Sequence, residues 1–367
     1  MDRVRIVHVP LGLDAAGRGM GRAETRDRLL PVVAQALGVE LAVVPAAALL
    51  GAPPGAFAAS FEGCRGVAWG GRIAFLPELR RVHARILAEL ESAGRPGALV
   101  VDGPEAVDEC FSLGRMIPKF EAAGLPGSAT RLVPLPEVAG PISEEEAKSL
   151  LERKLRDFPV EAWGVFVRTY YGTLKRSPLW HMAHSREQLI SRATYLVSDL
   201  SKDQEIGGLA VRERLPILPL LLAQGQHVGF AEFRVFVAFG KPLFWAYHAE
   251  LEGLRERLDD GDLARMGEIA ARHAPSMQAL SLRAGRVLDA RFVVVDFAVL
   301  EDGRLAVIEA NPAHGSGFGH LAALVGAHGR FLRALAGLGE ASRDELDAAL
   351  ARAEIAPWGR DQVFGFF

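Results

Sequence analysis

The stretch RFVVVDFAVLEDGRLAVIEANP, residues 291–312, sets two carboxylates into apolar surroundings. Asp296 interrupts a run of valines, and Glu309 and Asn311 close a second apolar run just before Pro312. A carboxylate taken out of water is costly unless something positive meets it. Between the runs, Glu301-Asp302-Gly303-Arg304 offers the positive φ that a tight hairpin wants, so a strand is expected on each side. Alternate residues of a strand share a face, which lets Glu309 and Asn311 address one ligand. A hairpin about this turn carries Asp296 into the neighbourhood of residues 309–311; the register is not fixed by the sequence. Two carboxylates and one amide oxygen make a hard, oxygen-only donor set. Such a set suits Mg2+ or Mn2+ held by few protein ligands, with phosphate oxygens completing the shell.

The rest of the chain must position that hairpin. Its 367 residues suggest two or three structural units, and its apolar and charged content is that of a soluble globular protein. A formal charge of −3 gives no pull toward nucleic acid or a membrane surface. The two cysteines, Cys64 and Cys110, form no CxxC pair and no disulfide framework, so a reducing cytoplasm is the expected compartment. The opening MDRVRIVHVPLGL lacks the longer apolar run of a signal peptide, and no stretch is long and apolar enough to span a bilayer.

Strand-like and helix-like runs alternate over roughly the first 110 residues, which predicts a small parallel α/β layer. RVRIVHV reads as a strand, LPELRRVHARILAELESAG as an amphipathic helix closed by Gly94. Beyond it, SLGRMIPKFEAAGLP and ISEEEAKSLLERKLRDF read as helices, the second with an acidic first turn. VFVRT is a strand leading into a basic, aromatic loop, and SREQLISRATYLVSDL is helical. FAEFRVFVAFGKPLFWAYHAEL reads as two strands about Phe239-Gly240, and LARMGEIAARHA as a helix ending before Pro275. The expected division is 1–112, 113–214 and 215–367.

At Asp296, Glu309 and Asn311 the chain resembles the ATP-grasp superfamily, whose nucleotide site ends in an acid on one strand and Glu-x-Asn on the next. The resemblance implies an N-terminal α/β domain followed by two α+β subdomains that grip ATP, with Mg2+ (or Mn2+) on these three residues. It further implies that Arg168, ending VFVRT, stands where many members place a lysine. This is similar to branches with arginine on the strand and lysine downstream, here Lys175 in the loop after Gly172. GLAVRERLPI looks like the segment joining the two subdomains, with Arg212 and Leu215 at the adenine wall and Glu213 as the acidic contact. Arg234, sharing a strand face with Glu232 in AEFRVFV, is implied to meet the transferred phosphoryl group.

The activity implied is that of an ATP-dependent carboxylate–amine ligase acting on small-molecule or peptide substrates through an acyl phosphate, with no nucleic-acid or membrane partner and, by analogy, a homodimer. Two other readings use the same grip: a kinase that phosphorylates a small-molecule hydroxyl, and a nucleotide-binding regulator without turnover. Weaker signals remain. HGSGFGH, after Pro312, should lie beside the acceptor, although the simplest reading of His314 is a solvated loop residue. His181 and His184 lack a third ligand and read as lid packing; Arg115 and Lys119 lie on the helix before the grip, and Trp69, Gly70 and Gly71 suggest a substrate wall.

Overall fold

A computed structural model describes residues 4–13, 22–70, 75–135, 143–160, 164–171, 182–200, 207–221, 227–247, 260–315, 321–355 and 364–366. The first unit alternates strand and helix: β1 Val4–Pro10, α1 Arg22–Ala36, β2 Val39–Val43, α2 Ala46–Gly51, α3 Ala58–Phe61, β3 Cys64–Gly70, α4 Leu76–Ser92, β4 Leu99–Val101 and α5 Pro104–Phe111. Its sheet has the order β2-β1-β3-β4, and each neighbouring pair is parallel. The chain therefore winds outward in both directions from the line between β1 and β3.

The second unit contains α6 Leu113–Ala122, β5 Thr130–Pro134, α7 Glu144–Lys154, β6 Val165–Thr169, β7 Met182–Ala183, α8 Arg186–Leu200 and β8 Gly208–Glu213. The antiparallel order is β5-β8-β6-β7. Ser143 starts α7 as a capping box with Glu146, satisfying amides that the helix itself leaves unpaired. Leu151, Leu189 and Val197 cover one sheet face against Val133, Val167, Leu209 and Val211.

The third unit contains β9 Pro219–Leu221, β10 His227–Phe230, β11 Glu232–Ala238, β12 Lys241–Tyr247, α9 Asp260–Val287, β13 Phe292–Val299, β14 Leu305–Pro312, α10 Leu321–Leu335, α11 Arg343–Arg352 and β15 Phe364–Phe366. Five strands form one antiparallel sheet, β14-β13-β11-β12-β15. Phe239 and Gly240 both take positive φ, giving the two-residue turn between β11 and β12. In the β13–β14 turn only Gly303 does so, because Gly303 N–H donates to Leu300 and Leu300 N–H to Arg304, a longer hairpin loop closed by one left-handed residue.

Helix α9 runs through Pro275, where the sequence reading stops it. A proline inside a helix costs about 3 kcal/mol. Met266, Ala270, Met277 and Ala284, on both sides of it, bury one continuous face against Phe233, Val235 and Val295, and that burial outweighs the lost bond. The opposite face of the sheet packs Phe236, Phe292 and Val294 against α10 and against Ile6, Ala68 and Val101 of the first unit. The parallel sheet and the large antiparallel sheet thus share a core. Among the described residues, no helix is long and apolar enough to cross a membrane.

Candidate functional site

Register decides what β11, β13 and β14 can do together. Arg234 stands opposite Asp296, and Asp296 opposite Glu309. Directly opposed residues of antiparallel strands point to the same face, so a cation and two carboxylates form one line across the sheet. Asn311, opposite Val294, joins that face. The line is flanked along the strands by Phe236 and Val294 on one side and Ala298 and Ala306 on the other. Arg234 grips Asp296 with two parallel bonds, Nε to Oδ1 and Nη2 to Oδ2, both 2.7 Å. Burial works against the Arg234 cation, but Asp296 outweighs it and its pKa is raised.

The register also contains one irregularity. Phe297 pairs with Val307 while Asp296 pairs with Glu309, so Ile308 is an extra residue in β14. Such a bulge breaks the alternation of sides. Ile308 and Glu309 therefore look to the same side, Ile308 joining Ala298, Leu300 and Ala306 together with Leu215 and Ile217 from the segment after β8. A small apolar patch sits directly beside the charged line.

The second sheet supplies more cations. Arg168 on β6 and Arg212 on β8 lie on the face opposite Val167 and Val211. Arg168 Nη1 donates to Glu309 Oε2 at 2.6 Å, while Asn311 Nδ2 donates to Glu309 Oε1 at 3.3 Å. Arg212 Nε donates to Ser128 Oγ at 3.1 Å. Burial would raise the Glu309 carboxyl, but the charge and hydrogen bond of Arg168, then Arg212 and Asn311, hold it down to about 2. Burial brings Arg212 down to about 10 against the pull of Glu309, which leaves it charged at neutral pH. Three guanidiniums thus meet two carboxylates.

Arg168, Arg212, Arg234, Asp296, Glu309 and Asn311 are brought together from two sheets. Leu215 lies in the adjoining apolar patch. Glu213 alternates to the face of Val165 and Val211, away from Arg212. Lys175 and the loop around it lie outside the described residues, as do Gly71, His181, Ser316 and His320. Lys119 donates to Glu109, and Arg115 pairs with Asp108, both apart from the charged line. His314 is 3 % exposed, in a turn over Ala313–Gly315, rather than solvated: Phe292 and Phe331 enclose its ring. Sequence reasoning missed Ile308, Ala298 and Ile217, because nothing in the residue types announces the bulge that gathers them.

The donor set is the test of a metal here. Among the described residues, no three carboxylate, imidazole or thiolate side chains are placed to hold an ion by themselves. Asp296, Glu309 and the Asn311 amide oxygen suit Mg2+ in the particular case where phosphate oxygens supply the rest of the shell. Cations on the facing sheet suit the same phosphates.

Two antiparallel sheets face one another here, one carrying Arg168 and Arg212 and the other Arg234, Asp296 and Glu309, and over residues 156–335 the chain carries an ATP-grasp domain. Residues 156–335 match the model of an ATP-grasp domain, family 3 of its clade. No curated protein matches the chain. Among solved structures, the ADP complex of PurK, N5-carboxyaminoimidazole ribonucleotide synthetase, is 13% identical with a TM-score of 0.54, over 93% of this chain and 80% of that one. The ATP-grasp ligase PsnB, complexed with precursor peptide PsnA2 and AMPPNP, is 14% identical with a TM-score of 0.51, over 96% and 99%. The Aspergillus clavatus N5-carboxyaminoimidazole synthase, in complex with ADP and its ribonucleotide, is 13% identical with a TM-score of 0.51, over 94% and 79%. At such identity these likenesses show the fold.

Proposed function

We propose that the chain is an ATP-dependent ligase that activates a carboxylate as an acyl phosphate for attack by an amine. The observation that carries this reading is the line Arg234–Asp296–Glu309, with Asn311 beside it and Arg168 and Arg212 facing it. The three guanidiniums, set among the carboxylates of Asp296, Glu309 and Glu232, supply forks shaped for the phosphates of a nucleotide. Asp296, Glu309 and Asn311 would hold Mg2+. When bound, the ion supplies neutralisation of the charge on the phosphoryl group.

In this reading the internal ion pairs exchange partners. The carboxylates of Asp296 and Glu309 turn to the metal, and Arg234 and Arg168 turn to phosphate oxygens, for which an arginine fork is well shaped. Lys175 would add a point charge from the loop after Gly172. Leu215, Ile217 and Ile308 offer apolar walls for the flat face of a base. A substrate carboxylate oxygen attacks the γ-phosphorus, the bond to the β-phosphate oxygen breaks, and ADP departs with the electron pair. The amine then attacks the acyl carbon, phosphate leaves and the amine proton is lost. No side-chain nucleophile is required, so the chain's part is positioning and charge.

The test is ADP and phosphate release with Mg2+-ATP across pooled amino acids, small peptides and polyamines. An active pool should release both, and Asp296→Asn or Glu309→Gln should lower the rate at least about a hundredfold, the scale for one preorganised electrostatic partner. Turnover unchanged in both variants would reject the metal assignment. ADP accompanied by a phosphorylated acceptor, without free phosphate, would replace the ligase with a kinase on the same grip.

A further inference from the structure

Helix α1 carries Arg26 and Asp27 side by side, and both are nearly fully buried. Charged neighbours on a helix ordinarily face water; these turn inward, toward β1 and the turn that follows β14. Asp27 Oδ1 accepts a hydrogen bond from Arg26 Nε at 2.7 Å and lies 3.2 Å from His8 Nε2. Burial pushes the Asp27 carboxyl up, but His8 and Arg26 outweigh it and hold it well below the usual carboxylate range. The pair is therefore an anion and a cation locked at a fixed angle. Arg26 Nη1 then donates to the backbone carbonyl of His314 at 2.5 Å. That carbonyl belongs to the turn immediately after Asn311, the last of the three oxygen donors.

The same turn is held at a second point. Gly70 ends β3 with φ +132°, and a Cβ there would stand 2.9 Å from the Cβ of His314. Only glycine leaves room for the His314 side chain so close to the end of β3. His8 and Gly70 lie toward the carboxyl ends of β1 and β3, the two strands between which the sheet reverses its winding. Open parallel sheets take their ligands in the crevice beyond such a line. The turn after Asn311 is thus clamped to the place where the first unit is best built to receive a substrate.

We propose that Arg26 is a positioning residue: oriented by Asp27 and His8, it pins the turn after Asn311 to the strand ends of the first unit, so that the metal-side donors and the crevice beyond β1 and β3 move as one body. The pinning itself stands on the hydrogen bonds; its consequence for nucleotide binding rests on the reading given under Proposed function. An error of a fraction of an ångström in Asn311 would alter the geometry of a site with few protein ligands.

The experiment uses the full chain in two variants. One replaces the pair by neutral shapes, Arg26→Met with Asp27→Asn. Because Arg26 Nη2 and Asp27 Oδ2 are buried without hydrogen-bond partners among the described residues, this exchange relieves a desolvation cost as it removes the contact, and the fold should persist. The other is Arg26→Lys, which keeps the charge but lacks a fork that can serve Asp27 and His314 together. Amide hydrogen exchange is followed over residues 309–315 and over β2 and α4, and the affinity for Mg2+-ADP is measured by calorimetry. Both variants should raise exchange over 309–315 and weaken Mg2+-ADP by about tenfold, the scale of one hydrogen bond from a charged donor, with β2 and α4 unchanged. Exchange over 309–315 that stays at the wild-type level, or that rises equally everywhere, overturns the proposal. Wild-type protein that does not bind Mg2+-ADP at all overturns the nucleotide reading instead, and the exchange comparison still judges the pin.

Discussion

The two faces of the five-stranded sheet share every backbone hydrogen bond and almost nothing else. On one face Phe233, Val235, Val293, Val295 and Phe297 meet the apolar faces of α9 and α6. On the other, Arg234, Asp296 and Glu309 cut across apolar ground that continues on both sides. Taking charge into the second face stabilises nothing by itself, since buried ion pairs roughly break even with apolar residues of the same shape. The first face makes the strands stay where they are, and the second uses that rigidity to hold side chains at fixed separations.

The sharpest way to break this contrast is Phe297→Ala. Phe297 is fully buried on the apolar face, one residue from Asp296. Its truncation should cost about 3–5 kcal/mol of stability, read from denaturant unfolding, while the turnover of the molecules that remain folded changes little. The variants at Asp296 and Glu309 should do the reverse. A Phe297→Ala protein that keeps its stability would show that the apolar face is not the support described here.

A smaller effect sharpens the contrast through pH. Behind the apolar part of the second face, His328 and His314 pack against Phe292. Burial, the first cause for each, lowers His328 to about 3 and His314 well below its ordinary value of 6.5. Both are neutral in the fold and accept protons more readily when unfolded. Stability should be whole above about pH 6.5 and decline below it, by about 1.4 kcal/mol per pH unit for each ring, until the folded pKa is reached. Asp102 runs the other way. Its carboxylate accepts from the amides of Arg291 and Phe292, yet burial raises it to about 6, so the fold loses stability as pH rises from the ordinary 3.8 to that value, which offsets one ring's share of the acid decline below about pH 6. The melting temperature should fall between pH 7 and pH 5, and His328→Leu should flatten the fall. An identical slope in that variant would remove His328 from the account.

The smallest change expected is Gly303→Ala in the β13–β14 turn. At φ +81° the turn asks for a residue without a Cβ, although the space around it is open. The loss should be about 1 kcal/mol, from backbone strain alone, and should leave the melting curve's cooperativity intact. A loss as large as that of Phe297→Ala would mean that the hairpin loop, not the apolar face, sets the strand register.

Much of this was legible in residue types. Val-rich runs, Asp302-Gly303 and the acids at Asp296 and Glu309 announce a hairpin with polar business on it, and strand alternation puts Asn311 beside Glu309. What was not legible depends on partners far away in sequence. Arg234 meets Asp296, and Arg168 meets Glu309, because sheets assemble, and no local pattern encodes that. Pro275 marks a helix end to any local rule, yet burial of residues beyond it carries α9 onward. His314 looks like a loop residue until the first unit closes over it.

The bulge at Ile308 has a consequence of parity. A regular strand deals its side chains left and right in turn, so a residue that packs with an apolar patch condemns its successor to the far side. By spending one residue outside the count, β14 seats Ile308 and Glu309 next to each other on a single surface. Were β14 to alternate strictly through all its residues from Val307, Ile308 would keep its place and Glu309 would turn to the other face, among Phe233 and Phe297. An odd number, kept odd, is what allows a greasy slot and an ionic track to be neighbours.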